Sequence, residues 1–224
     1  MKKRSYDQYC PLARSLDLLG ERWTLLVVRD LIAGPRRYTD LRNELDGIPS
    51  DLLTQRLRDL EAAGIVARRK LPPPAAASVY ELTDRGRELE PALVGLARFG
   101  IGLLEEPPSP DDPPSPERFG LLLRVLFEED DAPEKREAVL VDDGERRLRV
   151  EFGAGRFGVE EIVGEARDVS ATLRGSVPDL YEVLVGRREL EDALESGALA
   201  TEGSEQAIAR FTASFPPPQA VAVA

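Results

Sequence analysis

Histidine is missing from all 224 residues, and cysteine and tryptophan occur once each. Without histidine there is no Ser-His-Asp triad, no Cys-His dyad and no histidine metal site. A single thiol, Cys10, can neither close an internal disulfide nor build a zinc cluster. No stretch approaches the roughly 18 apolar residues of a membrane-spanning helix. The opening MKKRSYDQYCPLARS carries basic residues with no apolar run behind them, unlike a secretory signal. No GxxxxGK[ST] phosphate loop occurs, and GAGRFG at 153–158 lacks the helix-forming context of a dinucleotide fingerprint. No tight Asp/Glu cluster stands out from the general acidity. These absences argue against an enzyme, a metal and a cofactor, and they suit a cytoplasmic protein.

What is present is unevenly spread. Residues 1–100 hold 17 Lys/Arg and 14 Asp/Glu, whereas residues 101–224 hold 13 and 27, so the halves carry +3 and −14. Only the first half can approach a polyanion without strong repulsion. Between them runs EEPPSPDDPPSPE, residues 105–117, with six prolines. Such a segment favours extended polyproline conformations, about 3.1 Å per residue or roughly 40 Å in all. The expected organisation is therefore a domain at 1–104, a linker at 105–117, a second domain at 118–215 and a flexible tail at 216–224.

The first domain reads as helices at Pro11–Leu19, Glu21–Ile32 and Tyr38–Leu45, the last with Thr39 as N-cap. A turn at Gly47-Ile48-Pro49 leads to a fourth helix capped by Ser50 and ended by Gly64. On it Leu53, Leu57 and Leu60 share an inner face, while Asp51, Thr54, Gln55 and Arg58 point outward. Two β-prone runs follow, IVARRKL and SVYELT, joined by PPPAAA, and Thr83 caps a further helix over residues 84–106. A helix-turn-helix followed by a β-hairpin is a winged helix. That places Arg68, Arg69 and Lys70 on the wing. Trp23, opening an apolar helix, reads as core.

The stretches CPLARSLDLL, GERWTLLVVRDL, LTQRLRDLEAAGIV and YELTDRG, within residues 9–100, resemble the HxlR-type winged-helix transcription regulators of bacteria and archaea. The resemblance implies a homodimer, paired through the terminal helices, that reads a two-fold site on double-stranded DNA. Ser50 opens the recognition helix, and Thr54, Gln55 and Arg58 are candidates for base edges, since glutamine suits adenine and arginine guanine. Asp51 suits the positive helix N-terminus instead. Arg36, Arg37, Arg68, Arg69 and Lys70 are candidates for phosphate. The wing tip departs from the family in its three prolines and three alanines. Family members sense oxidants at a matching Cys-Pro, which makes Cys10, near Arg14 and Lys2 to Arg4, a candidate redox sensor.

The second half reads as a helix at RFGLLLRVLFEE, two strands about Asp143-Gly144, two more at RFGVEEIVGE and VSATLRGS, and three helical pieces with a short strand, ALATEG, before the last. Strands followed by helices give an α+β layer fold. Residues 168–215, with DVSATLRGSVPDLYEVL and ALESGALATEG, look like the end of a sterol-carrier-type lipid-binding domain. That resemblance implies a curved sheet and helices around an apolar cavity for a fatty acyl or sterol-like molecule. Phe127, Phe152, Phe157, Leu180, Leu184, Phe211 and Phe215 are candidates to line it, each equally suited to ordinary core. The combined expectation is a ligand-responsive transcription regulator. The alternative is a lipid carrier that uses the winged helix only for dimerisation.

Overall fold

The computed structural model describes residues 5–32, 34–71, 77–101, 103–104, 115–128, 133–144, 146–162 and 164–216. The wing tip 72–76, Lys2 to Arg4, residues 105–114 of the expected linker and the tail 217–224 lie outside these. Contacts divide the chain into two units, Met1–Leu93 and Val94–Ala224.

The first unit contains α1 (Pro11–Leu19), α2 (Thr24–Ile32), β1 (Arg36–Arg37), α3 (Tyr38–Glu44), α4 (Ser50–Ala62), β2 (Val66–Lys70), β3 (Ser78–Leu82) and α5 (Asp84–Arg87). Helix α6 (Glu90–Ile101) carries the chain past the division. The strands form an antiparallel sheet in the order β1-β3-β2. Leu53, Leu57 and Leu60 are buried on the inner stripe of α4, against Val27, Val28 and Leu31 of α2 and Leu41 of α3. Gly64 ends α4 with φ +69°, a conformation that costs a side-chain-bearing residue about 1–2 kcal/mol.

Several local expectations are corrected. Helix α2 begins at Thr24, not Glu21, because Glu21 to Trp23 form a turn in which Thr24 N–H donates to Glu21 O at 3.1 Å. Trp23 has φ +77°, unusual for a bulky residue. Pro49, not Ser50, holds the N-cap position of α4, and Arg37, not Thr39, that of α3, where the Asp40 carboxylate accepts the Arg37 N–H at 3.0 Å. Thr83 does cap the next helix, accepting from Gly86 N–H at 3.1 Å. That helix is not continuous over 84–106: it breaks into α5 and α6 at residues 88–89. A Cβ on Gly86 would sit 2.2 Å from the Ile65 carbonyl oxygen. Gly86→Ala is therefore expected to destabilise the first unit by about 1–3 kcal/mol through overpacking against backbone, as read from chemical denaturation.

The second unit contains α7 (Pro116–Leu126), β4 (Glu137–Asp142), β5 (Arg147–Gly153), β6 (Arg156–Glu161), β7 (Ala171–Gly175), α8 (Val177–Leu184), α9 (Leu190–Glu195), β8 (Leu199–Gly203) and α10 (Glu205–Ala213). The end of the expected linker, Ser115 to Glu117, instead opens α7. The Ser115 hydroxyl accepts from Arg118 N–H at 3.3 Å, and proline is harmless at the first helical position because that N–H would have no partner. The sheet order is β6-β5-β4-β7-β8, antiparallel except between β4 and β7. Alternate residues Val139, Val141, Leu148, Val150, Phe152, Ala171 and Leu173 form one apolar face, against which α7, α8, α9 and α10 pack. Arg210 of α10 ties down Glu137 of β4 at 2.7 and 3.0 Å. The chain as a whole is α+β, and no helix among the described residues is long and apolar enough to cross a membrane.

Candidate nucleic-acid interface

The outer face of α4 is half committed to holding itself. Thr54 Oγ1 donates to Ser50 O at 2.9 Å, and the Tyr38 hydroxyl donates to the same carbonyl at 2.9 Å. Tyr38 thus joins the start of α3 to the first turn of α4 and fixes the angle between them. Gln55 is exposed and its Nε2 donates to Asp59 Oδ1 at 3.1 Å. Arg58 is exposed and, among the described residues, makes no ion pair or hydrogen bond. Arg56 differs sharply. Its side chain is 13% exposed, and it donates to Arg22 O at 3.2 Å and Glu21 at 3.1 Å, with Asp59 at 3.5 Å. It clamps α4 onto the turn before α2, where Arg22 also stacks on the Trp23 ring at 5.3 Å.

The wing is a three-stranded sheet rather than a bare hairpin. Arg36 and Arg68 both stand opposite Tyr80, and Arg37 and Arg69 both stand opposite Val79. The Arg68 guanidinium lies over the Tyr80 ring at 5.8 Å. Arg69 is bidentate to Glu81 at 3.0 and 3.0 Å, and these hydrogen bonds, with the Glu81 charge, hold its pKa above the usual arginine value. Solvent screens an exposed pair of this kind, so Arg69 is not locked away from a ligand. The pair is nevertheless electroneutral and adds little pull on a polyanion. Lys70, exposed and without an ion pair among the described residues, and the exposed Arg37 keep their net charge. Arg36 is half-buried.

Residues 18–107 match the HxlR-like helix-turn-helix family. An uncharacterized HTH-type transcriptional regulator of Synechocystis sp. is 40% identical over 97 residues, 43% of this chain and 72% of the relative. The chain belongs to the HxlR-like helix-turn-helix family. A second uncharacterized HTH-type transcriptional regulator, of Mycobacterium tuberculosis, is 40% identical over 103 residues, 46% of this chain and 63% of its own length. The HTH-type transcriptional regulator YodB of Bacillus subtilis is 35% identical over 82 residues, 36% of this chain and 73% of YodB. The HxlR-like match ends at residue 107, so most of the second unit lies outside it.

Ahead of the matched residues, Cys10 is a half-buried free thiol at the N-cap position of α1. Arg14 turns to Ser5 and Asp17, at 3.5 and 3.4 Å, rather than to the thiol. Tyr6 N–H donates to Asp17 and, with Ser5 and Arg14, holds that carboxyl below its ordinary range. In the second unit, the seven residues expected at an apolar cavity all come together in one cluster. Phe152, Phe211, Phe215, Leu180 and Leu184 are buried, with Phe127 and Phe157 partly buried beside them. Their rings meet at 4.8–6.1 Å between centroids, Phe211 and Phe215 closest. A concavity of about 380 Å³ lies on the other face of the sheet, with Leu140, Arg147, Glu165, Thr172, Arg174 and Glu202 in its lining.

Sequence reasoning overlooked Tyr38, Arg56, Asp59 and Glu81 as supports of this surface. The spacing of Gln55, Arg56 and Asp59 within one helical turn carried a signal for two of them, Arg56 and Asp59. Nothing local marked Tyr38.

Proposed function

We propose that the chain is a DNA-binding transcription regulator of HxlR type, acting as a homodimer on a two-fold site and controlled by an apolar small molecule held in a sterol-carrier-like second unit. The observation that carries the DNA reading is the exposed face of α4, with Thr54, Gln55 and Arg58 outward, on the same small core as a wing bearing Arg68 and Lys70. Arg58 reads base edges, and Arg37, Arg68 and Lys70 meet phosphate, which sets register and affinity but not sequence. Arg69 braces the wing and can exchange Glu81 for phosphate. Self-association is supported by apolar side chains left in solvent, Leu12 and Leu16 on α1 and, separately, Leu96 and Phe99 on α6. Effector control would act through the aromatic cluster, entered beside its partly buried rings Phe127 and Phe157. Cys10 is the thiol at which an oxidant would act.

The test is titration of the full chain against the duplex upstream of its own gene at several salt concentrations, with native mass spectrometry of the same sample. A regulator binds with log affinity falling by about 0.9 per phosphate neutralised for each decade of salt, and flies as a dimer, with a few hundred daltons of extra mass where an effector is retained. Absence of binding even at low salt, with the extra mass present, would instead favour the carrier.

A further inference from the structure

We infer that Asp59 is a specificity-positioning residue: it fixes which way the Gln55 amide faces the major groove. This rests on the DNA-binding reading above. The two ends of a glutamine amide are nearly the same shape, and only a partner's chemistry decides which points where. A carboxylate only accepts, so Asp59 Oδ1, 3.1 Å from Gln55, takes Nε2 and turns Oε1 away. An ordinary helix-surface pair at this spacing would leave the carboxylate free to swing. Here it is not free. Its other oxygen, Oδ2, faces Arg56 Nη1 at 3.5 Å, and Arg56 is itself pinned by Arg22 O and Glu21 outside the helix. Arg56 is mostly buried, while Gln55 is exposed. The row Glu21–Arg56–Asp59–Gln55 therefore anchors an exposed amide to the packed body of the domain.

For a base reader the direction matters. Glutamine recognises adenine by accepting from N6 with Oε1 while donating to N7 with Nε2, a pattern that the reversed amide inverts. With one Nε2–H held by Asp59, the second N–H and Oε1 are presented in a single order along the groove. The protein then selects adenine, in one strand orientation, at the base pair under Gln55. Asparagine at position 59 can donate or accept and would admit both amide orientations.

The experiment is selection of bound duplexes from a random pool by the full chain, its Gln55→Met variant and its Asp59→Asn variant, with thermal midpoints measured alongside. Gln55→Met locates the base pair by flattening its preference. Asp59→Asn is expected to change the preference at that same pair by fivefold or more and to leave the other positions as they were. If Asp59→Asn lowers the midpoint, Arg56→Lys, which keeps the charge but loosens the carboxylate, is expected to change the same pair. A uniform change in affinity across sequences, as removal of one negative charge near phosphates would give, overturns the inference. So does an unchanged preference at the Gln55 pair. A wild-type chain that enriches no sequence overturns the regulator reading and this inference with it.

Discussion

Replacing Arg58 by alanine is expected to weaken binding to the selected duplex by about 1–3 kcal/mol, roughly 5- to 150-fold, and to relax the preference for guanine at one base pair of each half-site. The size follows from the side chain's isolation. Arg58 is exposed on α4 and holds no carboxylate among the described residues, so nothing in the free protein is lost with it. Arg56, two residues away, would behave differently. Removing it takes the arginine from Glu21, from the Arg22 carbonyl and from Asp59 Oδ2, so lost stability would accompany lost affinity. Lys70→Ala separates the remaining case. A phosphate contact carries no sequence information, so all duplexes should weaken alike and the salt slope should fall by about 0.9. Fluorescence anisotropy with cognate and guanine-substituted duplexes, at two or more salt concentrations, reads all of these quantities. Retention of the full guanine preference by Arg58→Ala would remove Arg58 from the base-reading set.

The contrast between Arg56 and Arg58 also shows where the sequence was legible. Periodicity alone put Leu53, Leu57 and Leu60 inward and Arg58 outward, because a 3.6-residue repeat fixes which face a residue occupies. It left Arg56 on the flank, since its partners, Glu21 and the Arg22 carbonyl, lie more than thirty positions earlier in the chain. The same limit explains β1. A two-residue strand has no period to detect, and Arg36 and Arg37 become strand only because β3 offers an edge. At Trp23 the local helical pattern was overridden by a left-handed turn. Between α5 and α6, an apolar pattern running on hid the break at residues 88–89, just after α5, whose Gly86 has no room for a Cβ against the Ile65 carbonyl. By contrast, Ser115-Pro116 did carry a helix-start signal, a capping hydroxyl followed by proline, masked by the five prolines before it. The aromatic positions of the second unit were foreseeable as inward-facing. Their mutual packing was not, because ring-on-ring contact joins β5, β6 and α10 from distant parts of the chain.

Phe152→Ala is expected to destabilise the second unit by about 3–5 kcal/mol, which makes it the most damaging single truncation considered. Phe152 is fully buried on β5 and meets Phe211 at 5.5 Å and Phe215 at 6.1 Å, so its loss leaves a hole that neither neighbour can close without breaking its own contacts. Against a typical domain stability of about 5–15 kcal/mol, this brings the unit near the point of unfolding. Hydrogen exchange should rise across β4, β5 and α10, while α2 and α4, which belong to the other core, keep their protection. Phe157→Ala separates packing from ligand binding. Phe157 is half-buried, with Arg124 over its ring at 5.0 Å, so less apolar area is lost and the cost should stay below about 2 kcal/mol. If the cluster is an effector's entry, this variant keeps its fold yet changes the apolar mass retained in native mass spectrometry. If the cluster is only core, Phe157→Ala changes stability in proportion to the area lost and leaves the retained mass untouched. A cost for Phe157→Ala as large as that for Phe152→Ala would show both rings locked in one packed interior, and would move the search for an effector to the concavity beneath Arg147 and Arg174 on the opposite face of the sheet.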